Sequence, residues 1–260
     1  MFVVTILAGG EGKRMRSDIP KVLHLINGKP MLLRVIEAAQ ELKPSKIVVV
    51  TGKFHSKIIR TLSQYTDIFG IFFIEQPEPL GTGNAIYHTL GQYTMDDHVL
   101  ILNGDMPLIT SDILDDFIFK ASSKKCAILS AFLPEPRGYG RIVRSPEGDF
   151  EEIVEEKDCS EIQRTICEIN TGIYFVRAQV LRAFVPKIMN DNVQKEYYLT
   201  DIVKMMKANN PLGQIKAISI EPSENIYIRG VNTPEELEEI SAYLLGQSGN
   251  IISDEFLPLS

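Results

Sequence analysis

A doubly wound α/β sheet with a second, smaller lobe is the fold this 260-residue sequence predicts, and three observations carry it. Apolar runs rich in β-branched residues alternate with helical stretches through the first half, which implies parallel strands joined by crossover helices. The first apolar run opens into glycines, and the ends of strands are where open α/β sheets bind ligands. After residue 133 the rhythm changes to short strands punctuated by Pro134, Pro136, Gly138 and Gly140.

The expected strands of the first half are Val3–Leu7, Lys46–Thr51, Ile71–Ile74, Val99–Leu102 and Ala127–Phe132, each a short run dominated by Val, Ile, Leu and Phe. Helices are expected near Pro30–Leu42, His55–Tyr65, Gly83–Gln92 and Ser111–Ala121. In the last of these Ile113, Leu114, Phe117 and Ile118 recur at helical spacing. The second half predicts strands near Gly140–Arg144 and Phe150–Glu155, then Ile169–Val176. Helices near Ala178–Met189 and Leu199–Asn209 follow, with a strand at Ile215–Ile220. Thr233-Pro-Glu-Glu announces a final helix, with Thr as N-cap, Pro at the first helical position and Glu236 placed for a capping box. Leu237, Ile240 and Leu244 give that helix an apolar stripe. No low-complexity linker divides the halves, so residues 1–245 are expected as one domain, with a second lobe over 134–245 and a tail over 246–260. There are no internal repeats, and no hexapeptide pattern of a β-helix.

Composition excludes several classes. With 44% hydrophobic and 23% charged residues the chain is an ordinary globular protein, long enough to bury a core without staples. A net charge of −7 argues against a general nucleic-acid or membrane surface. Met1–Leu7 is too short for a membrane span and has no basic flank or cleavage site, so it reads as a strand rather than a signal peptide. Three cysteines, Cys126, Cys159 and Cys167, with no C-x-x-C, favour free thiols in a cytoplasmic compartment. Charge is unevenly spread. Residues 11–30 hold Lys13, Arg14, Arg16, Lys21 and Lys29 against Glu11 and Asp18, whereas residues 147–161 hold eight acids and Lys157.

The run His98-Val-Leu-Ile-Leu leads into Asn103-Gly-Asp-Met-Pro-Leu-Ile, and so delivers one carboxylate, Asp105, at the tip of a buried strand. Gly104 permits close approach of another group, and Pro107 is expected to stop the strand. An acidic residue in that place can hold a divalent metal.

Leu7-Ala-Gly-Gly-Glu-Gly-Lys-Arg-Met15 follows the first strand and offers backbone N–H groups to phosphate. It is neither of the two common phosphate loops. A dinucleotide fingerprint requires a third glycine where Met15 stands, and the second strand ends in Thr51-Gly52 rather than an acid. A Walker loop requires Gly-Lys followed by Ser or Thr, but Lys13 precedes Arg14. What remains is a glycine loop with cations beside it, and a second basic point in Pro20-Lys-Val-Leu-His24. Alone, Lys21 also reads as an exposed surface lysine.

Together with Gly28-Lys-Pro-Met, Leu80-Gly-Thr-Gly-Asn-Ala, Gly138-Tyr-Gly-Arg-Ile, Ile153-Val-Glu-Glu-Lys-Asp, Glu168-Ile-Asn-Thr-Gly, Glu196-Tyr-Tyr-Leu-Thr-Asp and Gly230-Val-Asn, these motifs resemble the sugar-1-phosphate nucleotidyltransferases. Within them the chain most resembles the uridyltransferase domain of bacterial N-acetylglucosamine-1-phosphate uridyltransferases, over about Val3 to Leu245. The resemblance implies a Rossmann-like mixed sheet of the nucleotide-diphospho-sugar transferase type, with a nucleotide-binding half over 1–133 and a sugar-binding half over 134–245. It implies that Leu7, Ala8, Gly9, Gly10, Gln76, Gly81 and Thr82 cradle the uridine and phosphates of UTP, and that Arg14 and Lys21 meet the triphosphate. Asp105 and Asn232 are implied as ligands of Mg²⁺. Gly140, Glu155 and Asn170 are implied to bind N-acetylglucosamine 1-phosphate, with Tyr198 and Thr200 nearby, and Asn103 and Gly104 border the substrates. Four of these rest on the resemblance alone. Glu155 lies in an acidic run that reads as solvated, Asn170 reads as a turn residue, Asn232 as a helix entry, and Gln76 has no signal of its own.

The residue types suit that reaction. A phosphate monoester with second pKa about 6 is already largely dianionic at pH 7, so the attack needs no general base. None of His24, His55, His88 and His98 sits in a recognisable triad. The obstacle is repulsion between polyanions, which positioning and positive charge relieve. The chain departs from the family pattern with Gly9 for Ala, Lys13 for Thr, Asn84 for His and Lys195 for Gly. Bacterial relatives continue into a β-helix acetyltransferase, so neither acetyltransferase activity nor a β-helix trimer is expected of these residues. Competing readings are the same reaction with glucose 1-phosphate or dTTP, and a non-catalytic sugar-nucleotide-binding subunit.

Overall fold

A computed structural model describes residues 1–209 and 214–254, with side chains through 246. In chain order the elements are β1 (Phe2–Ala8), β2 (Leu25–Ile26), β3 (Lys29–Pro30), α1 (Met31–Glu41), β4 (Lys46–Thr51), α2 (His55–Leu62), β5 (Ile71–Glu75), α3 (Thr82–Thr89), β6 (His98–Asn103), α4 (Ser111–Ala121) and β7 (Cys126–Phe132). The second half adds β8 (Gly140–Arg144), β9 (Phe150–Val154), α5 (Glu161–Arg164), β10 (Glu168–Arg177), α6 (Ala178–Phe184), α7 (Asp201–Asn209), β11 (Ile215–Ser219) and α8 (Pro234–Asp254).

The main sheet runs β11-β7-β10-β6-β1-β4-β5, with β8 and β9 branching from β10. Strands β6, β1, β4 and β5 are parallel neighbours. Strand β10 enters between β6 and β7 antiparallel to both, which makes the sheet mixed. Register places Leu7 beside Asn103 and Ala8 beside Thr51. The chain leaves β1 toward β4 on one side, while β6 returns on the other. That reversal opens a crevice at the carboxyl ends of β1 and β6. The glycine loop and Asp105 emerge into it side by side.

Alternation along the strands feeds a core on each face. Val4, Ile6, Val49, Leu100 and Leu102 pack against α1, α2 and α4. Val3, Val48, Val99 and Ile101 pack against α3, α6 and α7. Burying one such Leu, Ile or Phe side chain contributes about 1.5–3 kcal/mol, so Phe117 and Leu114 suffice to seat α4 once Thr110 caps it by accepting from the Ile113 N–H. Thr5 is a polar residue in this core. Its hydroxyl is satisfied by the Tyr93 hydroxyl at 2.8 Å, which also meets Thr89 at 2.6 Å.

Several expected boundaries shift, each for a local reason. Strand β6 ends at Asn103, before Pro107 is reached, its last ladder bond running from the Gly104 N–H to the Leu7 carbonyl at 2.9 Å. Helix α6 stops at Phe184 rather than Met189, since Pro186 has no N–H to continue it and the chain tightens into a single turn over 185–187. Helix α7 begins at Asp201 rather than Leu199, after turn-type bonds from Asp201, Ile202 and Val203 to the carbonyls of Tyr198, Leu199 and Thr200. Helix α3 covers Thr82–Thr89, with the last turn over 90–92 separate. Asn170 is not a turn residue but part of β10, at a register shift that ends at Tyr174. Helix α8 continues to Asp254, so the segment expected as a tail from 246 begins as helix, and 255–260 lie outside the described residues.

The expected box at the start of α8 is present. The Glu236 N–H donates to Thr233 Oγ1 at 3.2 Å, and the Glu236 carboxylate accepts from the N–H groups of Thr233 and Asn232. A small cluster of Ile26, Met31, Leu108, Val231 and Ile240 seats this helix beside the crevice. All three cysteines are free, and burial pushes the Cys126 thiol up to about 12, which suits a core residue. No described helix is long and apolar enough to cross a membrane.

Candidate active site

The glycine loop is held by its lack of side chains. A Cβ on Gly9 would lie 3.1 Å from Gln76 Oε1 and 3.3 Å from the Gly52 nitrogen, so the loop packs flat on the ends of β4 and β5. Gly12 has φ +64°, and a Cβ there would lie 2.6 Å from the Lys21 Cβ. This is the position where the loop must be glycine, because it brings the 20–24 turn up against the loop. The expected basic point, Lys21, is thereby turned inward, with only 14% of its side chain exposed.

Lys21 Nζ donates to Asp105 Oδ2 and, at 3.0 Å, to Asn232 Oδ1. The Arg14 guanidinium donates to the same Asn232 oxygen at 3.0 Å. Asn232 reaches this place because the Val231 N–H donates to the Asp105 carbonyl at 2.9 Å. It serves the site and the entry to α8 together. Two residues remote in sequence thus aim oxygens at one point, and a cationic nitrogen fills it.

Two cavities meet at that point. The first, about 450 Å³, is lined by the loop from Leu7 to Arg14, by Lys21, by Gln76, Gly81 and Thr82, and by Asn103, Asp105 and Asn232. The second, about 260 Å³, is lined by Gly138, Tyr139, Gly140, Glu155, Asn170, Leu199 and Thr200 among others. Leu7, Thr82, Asn103, Asp105 and Asn232 border both. Gly104 and Tyr198 are the two expected site residues that line neither. Gly104 lies beneath, where a Cβ would sit 3.2 Å from the Leu7 carbonyl oxygen, and Tyr198 is buried with its phenol pushed upward by burial.

In the first cavity Gln76 Nε2 donates to the Gly81 carbonyl at 3.1 Å and to Asn84 Oδ1 at 2.9 Å, which fixes its amide toward the loop. The 80–83 segment is tied to the 197–199 segment by bonds from the Gly83 and Leu199 N–H groups to the Tyr197 carbonyl and Thr82 Oγ1. Glu11 also lines this cavity and was not anticipated. It pairs with Lys53 at 2.7 Å and Lys13 at 2.9 Å, and these two hold its carboxyl down at about 2. A carboxylate in a phosphate loop carries no periodic or motif signal, and Lys53 is far from it in sequence.

In the second cavity the Glu155 carboxylate accepts from Thr200 Oγ1 at 3.1 Å. Burial raises its pKa, the Thr200 hydrogen bond lowers it, and nearby Asp158, Asp201 and Glu196 raise it further. It is half-buried rather than solvated, as its acidic run had implied. Asn170 is locked from both ends: its Nδ2 donates to the Tyr174 hydroxyl at 2.9 Å and its Oδ1 accepts from the Gly172 N–H at 3.0 Å. Asn103 Nδ2 donates to the Thr171 carbonyl at 3.2 Å and closes the floor between the cavities. Tyr139, missed in sequence, covers the junction, with its phenol raised by burial and by the Asp105 charge.

The donor set fits a divalent cation of the hard, oxygen-seeking kind. Asp105 gives a carboxylate and Asn232 a neutral oxygen, and the Lys21 ammonium already occupies the cationic place between them. Among the described residues no cluster of three or more His, Cys, Asp or Glu side chains could cage a metal unaided. A magnesium-type ion there would complete its shell with phosphate oxygens and water.

The family model described as a MobA-like NTP transferase domain matches residues 4–158. A probable UDP-N-acetylglucosamine pyrophosphorylase of Acanthamoeba polyphaga mimivirus is 41% identical over 243 residues, covering 92% of this chain and 94% of that protein. The bifunctional protein GlmU of Cellvibrio japonicus is 37% identical over 255 residues, covering 98% of this chain and 54% of that protein. The chain therefore spans about half the length of the bifunctional relatives. Among solved structures, HddC from Yersinia pseudotuberculosis complexed with GMP-PN superposes with a TM-score of 0.68 at 22% identity, over 94% of this chain and 100% of that one, a likeness of fold. With the family matched over more than half of the chain, and one relative along nearly its whole length, the chain belongs to the MobA-like NTP transferase family, among the sugar-1-phosphate nucleotidyltransferases.

Proposed function

We infer that this chain transfers UMP from UTP to N-acetylglucosamine 1-phosphate, forming UDP-N-acetylglucosamine and releasing pyrophosphate. The observation that carries the reading is the meeting of two cavities at Asp105 and Asn232, with Lys21 and Arg14 bonded to that point from the side of the first. A nucleotide in the larger cavity and a sugar phosphate in the smaller one would bring their phosphates together at that cationic point. The relatives named as pyrophosphorylase and GlmU support the choice of uridine and of the amino sugar.

In this reading residues 1–133 hold the nucleotide and 134–245 hold the sugar. The backbone of Leu7–Gly10 and the fixed Gln76 amide face the nucleotide, and Gly81 and Thr82 wall its far side. Gly140, Glu155, Asn170 and Thr200 offer fixed acceptors and donors to the hydroxyls and amide of the sugar. An oxygen of the sugar phosphate attacks the α-phosphorus of UTP, the new P–O bond forms opposite the bond to the β-phosphate, and pyrophosphate leaves with that electron pair. The attacking group is dianionic near pH 7, and no side chain need take a proton. Arg14 and Lys21 stand where charge accumulates on the departing pyrophosphate, and positioned positive charge is what such transfers require. Asp105 and Asn232 would hold Mg²⁺, which when bound neutralises phosphate charge and orients the triphosphate.

Pyrophosphate release tests the reading, with Mg²⁺ and a panel pairing UTP, dTTP and other nucleoside triphosphates with N-acetylglucosamine 1-phosphate, glucose 1-phosphate and related sugar phosphates. The expected result is fastest release with UTP and N-acetylglucosamine 1-phosphate. Release confined to glucose 1-phosphate would reassign the sugar, and silence across the panel would leave a binding subunit.

A further inference from the structure

Arg141 is the largest side chain in the fold with 2% or less of its surface exposed, and it contributes no atom to either cavity. Burying a guanidinium is costly unless its charge and its N–H groups are met. Two partners on different segments meet its charge and its two terminal nitrogens, while Nε is buried without a hydrogen-bond partner. One arm donates to the Tyr139 carbonyl, and the other reaches Glu156 Oε2 at 2.7 Å.

Those partners flank the sugar site. Tyr139 precedes Gly140, and Glu156 follows Glu155. A Cβ on Gly140 would sit 3.4 Å from Glu155 Oε2, so the two cavity residues face each other closely across the mouth of the β8–β9 ribbon. That ribbon joins the main sheet through two residue pairs, Gly140 with Asn170 and Arg141 with Ile169. Beyond them β8 pairs with β9 alone. By strand pairing the ribbon is anchored at its site end, through the pairs that include Arg141, while side-chain bonds from Arg144 to Glu168 and from Lys207 to Glu151 hold its far part. Adjacent strand residues point to opposite faces. Gly140 opens toward the cavity while the Arg141 side chain runs behind it and ties the two walls together.

Resting on the function inferred above, we propose that Arg141 is a positioning residue for the sugar site. It sets the separation of Gly140 from Glu155 by clamping Tyr139 and Glu156, and so governs the fit of the sugar phosphate and not of the nucleotide. A planar, forked guanidinium can hold two partners in fixed relation, which a lysine ammonium cannot.

The test is steady-state kinetics of purified Arg141→Lys and Glu156→Gln with both substrates varied, alongside thermal unfolding. In R141K the KM for N-acetylglucosamine 1-phosphate should rise about tenfold, a modest loss for a site residue displaced by part of an ångström, while the KM for UTP stays within about twofold. E156Q should move the same constant in the same direction by about threefold, because one arm of the clamp remains. A role in stability alone would lower the unfolding midpoint and the active fraction but leave both KM values unchanged, and that result overturns the proposal. So does an equal rise in both KM values. Should R141K fail to fold, the split in E156Q decides, since the Glu156 side chain keeps 24% of its surface exposed and its amide conserves shape. Wild-type protein that releases no pyrophosphate across the panel would instead refute the functional reading, which keeps the two failures apart.

Discussion

The two cavities share a wall yet are built on opposite principles. In the proposed reading the nucleotide side is the open and cationic one: Lys13 is 86% exposed, and Arg14 is exposed as well. The sugar side is half-closed and holds a carboxylate whose pKa is raised by burial, with Asn170 and Thr200 locked by hydrogen bonds. A polyanion is recognised by charge, which tolerates movement and water. A neutral ring is recognised by hydrogen bonds, which must be placed in advance and shielded. The difference also sets what each site costs. Exposed ion pairs such as Glu11 with Lys13 and Lys53 add little to stability, whereas a buried carboxylate subtracts from it.

Replacing the shared point should erase the distinction, with the largest effect. Asp105→Ala removes the carboxylate at the junction and leaves Lys21 without its ion-pair partner. Turnover should fall by about a thousandfold or more, as expected when a charge-stabilising metal ligand is lost. Circular dichroism should stay native, because Asp105 lies beyond the end of β6 and its backbone bond to Val231 does not need the side chain. Near-normal turnover at saturating Mg²⁺ would contradict the role given to Asp105.

The next test separates the sides. Lys21→Met keeps the stem packed between the loop and Asp105 but removes the charge. The kcat/KM for UTP should drop about a hundredfold, the scale of losing one placed cation at a developing anion. The KM for N-acetylglucosamine 1-phosphate should move by less than about threefold, since the acceptors around Glu155 are untouched. Equal losses toward both substrates would mean that the cavities do not divide the labour.

The same contrast explains what could be read in the sequence. Part of the first cavity is assembled from neighbours in the chain, a strand, four residues of glycine loop and Arg14, each with a local reason to be where it is, whereas Lys21 alone reads as a surface lysine and Gln76 carries no signal. Asp105 was legible for a local reason too, as the tip of an apolar run. The sugar side depends on β10 crossing antiparallel between β6 and β7, and pattern alone cannot tell which strands a late arrival will join. Glu155 therefore resembled any solvated acid, and Asn170 any turn residue. Arg141 gave no sign that it would be buried, because arginine is almost always at the surface unless paired. Its partners come from a turn beside it and from the turn that follows the far strand of the ribbon. The settings of three residues that resemblance supplied are of two kinds: Glu155 and Asn232 are bonded to remote residues, Thr200 for the one and Lys21 and Arg14 for the other, whereas Asn170 is bonded within its own strand to Tyr174 and Gly172.

The smallest effect probes the cost of the buried carboxylate. Burial first, then Asp158, Asp201 and Glu196, hold the Glu155 pKa above its ordinary value of about 4.3, against the lowering bond from Thr200. A folded-state pKa above the unfolded one means that the folded chain binds that proton more tightly. The stability it confers is complete below the unfolded pKa and is lost as pH rises through the folded one. Glu155→Gln conserves size and hydrogen-bonding capacity and never ionises, so it escapes that loss. Its unfolding midpoint should exceed the wild-type value at pH 8 by on the order of 2 °C, and the gap should shrink toward zero near pH 4. The same variant should bind N-acetylglucosamine 1-phosphate more weakly, because one half of its amide donates where the carboxylate only accepts. Thermal unfolding of both proteins across pH 4–8 reads the first effect and the KM reads the second. A gap of opposite sign, or one that ignores pH, would show that Glu155 is solvated after all, and the sugar side would then differ from the nucleotide side in charge alone.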